Sequence, residues 1–169
     1  MIKCDIVTRP RHIRFIEGNS IVTATAVCTS GQCEEIIRIC ERFSASCGGW
    51  RNDDQAEYAQ KTIDVEVEKI KELVDYLNKI EFLPALNFLY QLIYGNVIDS
   101  FDDLFVVKYD NVRQRELVEH FDGGDITFMI ALSRRSDYDG GGTFFKLTGD
   151  VLDLDQGCMV LFDAKLLHR

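Results

Sequence analysis

The 169 residues, 46% hydrophobic and 28% charged, suit one globular domain with a sizeable core and argue against a disordered chain. With 28 acidic against 19 basic residues, a formal charge of −9, the chain repels polyanions; nucleic acid and anionic membrane are poor partners, and a basic protein or peptide fits the field better. Met1-Ile2-Lys3-Cys4-Asp5 lacks the apolar core of a signal peptide, and no stretch reaches the roughly 20 apolar residues of a membrane span, so a soluble, cytoplasmic protein is expected.

His12 sits in the basic segment Arg9-Pro10-Arg11-His12-Ile13-Arg14 with no acidic or cysteine partner nearby, and is expected on the surface. Ser20 to Cys28 alternate and are rich in Val, Ile and Thr, which predicts a strand with Ile21, Thr23, Thr25 and Val27 on one face. A helix follows, capped by Ser30, favoured by Glu34 and Glu35, carrying Ile36, Ile37, Cys40 and Phe43 at helical spacing and ending at Gly48-Gly49. Cys33, Cys40 and Cys47 recur every seven residues, a spacing that suits a metal or redox face or, preferably, one packed side of that helix. None of the six cysteines forms a Cys-x-x-Cys pair, so reduced, mostly buried thiols are expected.

Trp50 to Gln60 reads as a polar loop and Lys61 to Val65 as a short extended piece. A second helix carries Val67, Ile70, Leu73, Val74, Leu77 and Ile80 at the helical period. Pro84 opens a third and Gly95 closes it, with Phe82, Phe88, Tyr90 and Tyr94 read as packing against a sheet. From Asp103 short runs of β-branched and aromatic residues alternate with turn residues, predicting strands near Leu104–Tyr109, Glu116–Phe121, Ile126–Ser133, Gly142–Leu147, Val151–Leu154 and Cys158–Phe162. Helices before closely spaced strands indicate an α+β fold: residues 1–102 lead in and residues 103–169 form an antiparallel sandwich or barrel, in one domain spanning 1–169.

In Leu117-Val118-Glu119-His120-Phe121-Asp122 a strand of period two turns His120 and Asp122 to one face and Phe121 to the other. His168, beyond four more predicted strands, has enough chain before it to return on a facing sheet and bring a second imidazole to the pocket. Two histidines and a carboxylate on one side of a metal leave coordination positions open, which suits ferrous iron that must take a cosubstrate and oxygen together.

His120-Phe121-Asp122, Ile126 to Leu132, Tyr138-Asp139-Gly140-Gly141-Gly142-Thr143-Phe144-Phe145 and Leu161 to His168, in that order, resemble the 2-oxoglutarate/Fe(II) oxygenases of the prolyl 4-hydroxylase and lysyl hydroxylase type. The resemblance covers roughly Leu104 to Arg169. It implies a double-stranded β-helix, jelly-roll-like, with Fe(II) held by His120, Asp122 and His168, and 2-oxoglutarate, O2 and conceivably ascorbate as cosubstrates. The reaction implied is hydroxylation of an unactivated carbon, with a prolyl or lysyl side chain as the expected site and protein, peptide or small-molecule substrates left open. Tyr109 and Thr143 would face the cosubstrate, although sheet packing explains Tyr109 and an ordinary strand position explains Thr143 equally well. The family also places an Arg or Lys about ten residues past the second histidine, to pair with the distal carboxylate of 2-oxoglutarate. This sequence ends at Arg169, so the last strand is expected to be missing. Arg169 should point away from the iron as the neighbour of His168, and Lys146 is a conceivable stand-in. The competing reading is a non-catalytic metal-binding or interaction domain on the same barrel.

Overall fold

A computed structural model describes residues 11–25, 27–50, 62–98, 101 and 103–169. The elements in chain order are β1 (Arg11–Ile16), β2 (Ile21–Thr25), α1 (Ser30–Ser46), β3 (Asp64–Glu66), α2 (Lys71–Lys79), α3 (Phe82–Tyr94), β4 (Phe105–Val107), β5 (Ile126–Ile130), β6 (Thr143–Phe145), β7 (Asp150–Leu152) and β8 (Met159–Asp163). All strand pairs are antiparallel: a main sheet in the order β1-β2-β8-β5, the pair β3-β4 and the pair β6-β7. Mixed helix and antiparallel sheet is the α+β class expected from the sequence. Among the described residues no helix is long and apolar enough to cross a membrane.

The central strands β2 and β8 of the main sheet are buried on both faces, and strand periodicity sorts their side chains into two cores. Ala24, Met159 and Leu161 pack with Cys33, Phe82, Leu86 and Leu89 of α1 and α3. The alternate residues Ile21, Val160 and Phe162 pack on the other side against Phe145 of β6. This explains why Met159 to Phe162 of β8 are apolar without a break. It also corrects the one-faced reading of β2, where Val22 and Ala24 are as buried as Ile21.

The second face is covered by a small ladder whose middle strand is the chain end. Phe144 and Arg169 exchange backbone hydrogen bonds at 2.9 and 3.1 Å, and Lys146 N donates to Leu167 O at 2.9 Å. On the opposite edge, His120 and His168 exchange bonds at 2.8 and 3.1 Å. The expected strand at Glu116–Phe121 is absent as a regular element; its only β-pairing among the described residues is this bridge.

Several local expectations change. Thr29, not Ser30, caps α1: its hydroxyl accepts from Gln32 N at 3.2 Å while Gln32 Oε1 accepts from Thr29 N at 2.7 Å, a reciprocal box that a cap at Ser30 would forgo. The single helix expected from Val67 breaks into a 3-10 turn and α2, because Ile70 leaves helical geometry at φ −114°, ψ 85°. α3 starts at Phe82, so Pro84 lies inside its first turn, where its missing N–H costs no hydrogen bond, and Gly95 at φ 74° ends it as expected. Cys33 and Cys40 are buried on the packed side of α1 while Cys47, beyond it, is exposed, in accord with the packing account. The loop expected from Trp50 falls largely outside the described residues, as does Cys4.

The segment expected only to be surface, Arg11 to Arg14, is the start of edge strand β1, with an irregular register between Arg11 and Arg14. His12 adopts φ 47° there and is exposed, so its surface placement holds.

Candidate metal centre

His120 and Asp122 flank Phe121 on an extended stretch with two anchors. His120 pairs with His168, and Asp122 N donates to Ala164 O at 3.0 Å. Period-two alternation then turns the imidazole and the carboxylate to one side and leaves Phe121 exposed on the other. The second imidazole arrives from β8 through a tight turn, in which Leu166 N donates to Asp163 O at 2.9 Å and Lys165 N to Asp163 Oδ1 at 2.8 Å. His168 therefore lies beside His120 in the same ladder, not on a facing sheet as expected.

The donor atoms of His120, Asp122 and His168 all lie within 4.8 Å of one another, and this is the group of metal-ligating side chains found among the described residues. Asp122 Oδ1 is 3.4 Å from His120 Nε2, and its Oδ2 is 3.6 Å from His168 Nε2. These separations exceed ordinary hydrogen bonds, so the three donors converge on a point without satisfying one another. The imidazole centroids are 4.3 Å apart.

The two rings are held alike. His120 Nδ1 bonds to Val118 O and His168 Nδ1 to Leu166 O, each at 2.9 Å and each two residues back along the chain. A carbonyl only accepts, so each bond places a proton on Nδ1 and turns Nε2, the other ring nitrogen, toward Asp122. Such backbone-oriented imidazoles are the usual state of metal-ligating histidines. The donor set thus fits a divalent metal bound through two nitrogens and an oxygen.

Burial is graded across the group. His168 is 4% exposed, wedged against the edge of Phe162 at 4.8 Å and beside Phe145 at 6.1 Å, while His120 and Asp122 are open enough to admit solvent or a ligand. The Thr127 hydroxyl of β5 donates to Asp122 Oδ2. Lys165 Nζ reaches the carbonyls of Asp122 and Gly123 at 3.3 and 3.5 Å.

No protein-family model matches the chain. Procollagen-lysine,2-oxoglutarate 5-dioxygenase 1 of Mus musculus is 29% identical over 152 residues, which cover 83% of this chain and 20% of that protein. The proteins of the same name from Bos taurus and Homo sapiens are 28% identical over the same length and the same shares. The likeness is to 2-oxoglutarate-dependent dioxygenases. The chain spans about a fifth of the length of these curated relatives.

The other residues singled out in the sequence fall unevenly around the triad. Thr143 lies on β6 with Phe145 and directs its hydroxyl to Met129 Sδ of β5 at 4.0 Å, on the inner side of the ladder. Tyr109 follows β4 and is 52% exposed. Lys146 alternates with Phe145 and is exposed on the outer side. Arg169 is stacked over the Phe144 ring at 5.1 Å, pointing away from the triad as expected. Thr127 escaped the sequence reading. Its signal was a polar residue on the inward-facing register of a strand otherwise apolar from Ile126 to Leu132.

Proposed function

We propose that this chain holds Fe(II) through His120, Asp122 and His168 in a 2-oxoglutarate- and O2-dependent dioxygenase that hydroxylates an unactivated carbon, with a lysyl or prolyl side chain of a protein as substrate. The observation that carries the reading is the pair of Nε2 atoms, turned by matching Nδ1 bonds toward one carboxylate, with the three ligand atoms within 4.8 Å of one another. The main sheet and the ladder packed across Phe145 and Phe162 are read as the two sheets of a double-stranded β-helix. The name of the relatives supports both the cosubstrate and the lysyl substrate.

The oxidising chemistry belongs to the metal and its cosubstrate, and the protein's part is to hold and orient them. His168, locked in the core, fixes one arm rigidly; His120 and Asp122 leave the exposed side for cosubstrate and substrate. Thr143, on the inner side of β6, is the better placed of the two cosubstrate candidates, and Tyr109, half exposed, the weaker.

A non-catalytic metal-binding domain remains the second reading, favoured by one feature: Lys146 and Arg169, the basic residues closest in sequence to Phe145 and His168, both lie on the outer side of the ladder. Anaerobic Fe(II) titration tests the site. His120→Ala, Asp122→Ala and His168→Ala should each abolish or sharply weaken binding, and His12→Ala should not. Unchanged affinity in any folded triad variant removes that residue from the site. Succinate formation from 2-oxoglutarate then separates the readings, since metal binding without turnover favours the non-catalytic domain.

A further inference from the structure

We propose that Thr127 is a positioning residue that ties down Asp122 Oδ2 and leaves Oδ1 as the metal-binding oxygen; this rests on the metal-site reading above. Asp122 could present either oxygen, or both, to a metal between the two imidazoles, because its oxygens stand at nearly equal distances, 3.4 and 3.6 Å, from His120 Nε2 and His168 Nε2. The Thr127 hydroxyl breaks that symmetry. It donates to Oδ2 alone, withdrawing electron density from that oxygen and resisting rotation of the carboxylate.

The hydroxyl is itself fixed by the main sheet. Thr127 is the cross-strand partner of Phe162, and that pair supports two arms of the triad: the threonine bonds Asp122, and the phenylalanine packs edge-on to His168 at 4.8 Å. Strand β5 is thereby coupled to the stretch 120–122, whose backbone is otherwise anchored to His168 and Ala164. Held by one oxygen, the carboxylate leaves a coordination position that two-oxygen binding would fill, and an oxygenase of this kind needs its open positions for cosubstrate and oxygen.

The test compares Thr127→Val, which keeps the branched shape, with Thr127→Ser, which keeps the hydroxyl. Fe(II) affinity is measured anaerobically, and Co(II) serves as a second probe whose visible spectrum responds to coordination number. Thr127→Val should bind both metals about 10–100-fold more weakly, the range for losing an outer hydrogen bond to a ligand, and shift the Co(II) bands. Thr127→Ser should resemble the wild type in both. Thr127→Ala is a second hydroxyl-free variant should valine unfold the chain. Wild-type affinity and spectrum in a folded hydroxyl-free variant would overturn the inference, and so would equal losses in the serine and valine variants, which would assign the effect to packing. If the wild type shows no metal binding sensitive to Asp122→Ala, the underlying metal-site reading fails and this inference with it.

Discussion

Phe145 offers the most exacting test of how the ladder is joined to the main sheet. It is 1% exposed, meets Phe162 edge-on at 4.9 Å and 80°, and stands beside His168 at 6.1 Å. Removing a buried phenylalanine ring typically costs about 3–5 kcal/mol, a value that already contains the roughly 0.5–1.5 kcal/mol of the aromatic pair. Since a whole domain is stable by only about 5–15 kcal/mol, Phe145→Ala should leave the chain near or past its unfolding threshold. Phe145→Leu keeps most of the apolar volume and should cost about 1.5 kcal/mol. Urea unfolding followed by far-ultraviolet circular dichroism measures both. Repeating it anaerobically with Fe(II) at about 100 times its dissociation constant should add ~2.7 kcal/mol to the wild type. The gain at that same Fe(II) concentration should be smaller in Phe145→Leu, where His168 has lost a flank. A loss under ~1 kcal/mol in Phe145→Ala would refute the claim that this ring joins the layers.

The elements legible in the sequence were those whose periodicity is enforced by burial on a single face or marked by turn residues. β5 and β6 lie within their expected runs, β7 starts one residue early and β8 runs one residue past its expected end, because glycine and aspartate turns bracket them. β1 was hidden because Pro10 and three arginines read as surface, and an edge strand needs no apolar alternation to pair along one side. The stretch Glu116 to Glu119 is largely exposed, and the β-pairing that follows it among the described residues is the bridge of His120 with His168. That His120 and Asp122 share a side was readable from spacing alone. That His168 sits between His120 and Phe145 was not, because it depends on the register of the chain end against two separate strands. Thr127 was missed for a similar reason: its partner, Asp122, is defined by a turn whose shape no local pattern specifies.

Two further outcomes are expected. Thiol alkylation at mildly alkaline pH should label exposed Cys47 well before Cys40, whose pKa is pushed up to about 12 by burial and then by Glu41; the thiolate is the reactive form and exists only as pH rises toward that value. Mass spectrometry reads the order, and rapid labelling of Cys40 in folded protein would contradict its place in the core. Gly157→Ala should destabilise strongly, because two effects add at one position. Gly157 has φ 79°, a left-handed conformation that costs a residue with a Cβ about 1 kcal/mol or more, and a Cβ there would stand 2.0 Å from the Cys28 carbonyl oxygen. The backbone cannot simply move aside, since Gly157 O accepts from Val27 N at 2.9 Å and Cys28 N at 3.2 Å while its own N donates to Ala131 O at 2.8 Å. These bonds tie the start of α1 to β5 and β8, so relief of the clash must loosen the layer that carries Thr127 and Phe162. Thermal unfolding should therefore show a loss of more than ~2 kcal/mol, with weaker Fe(II) binding in whatever fraction stays folded. A wild-type midpoint for Gly157→Ala would mean that this close approach is not part of the native packing.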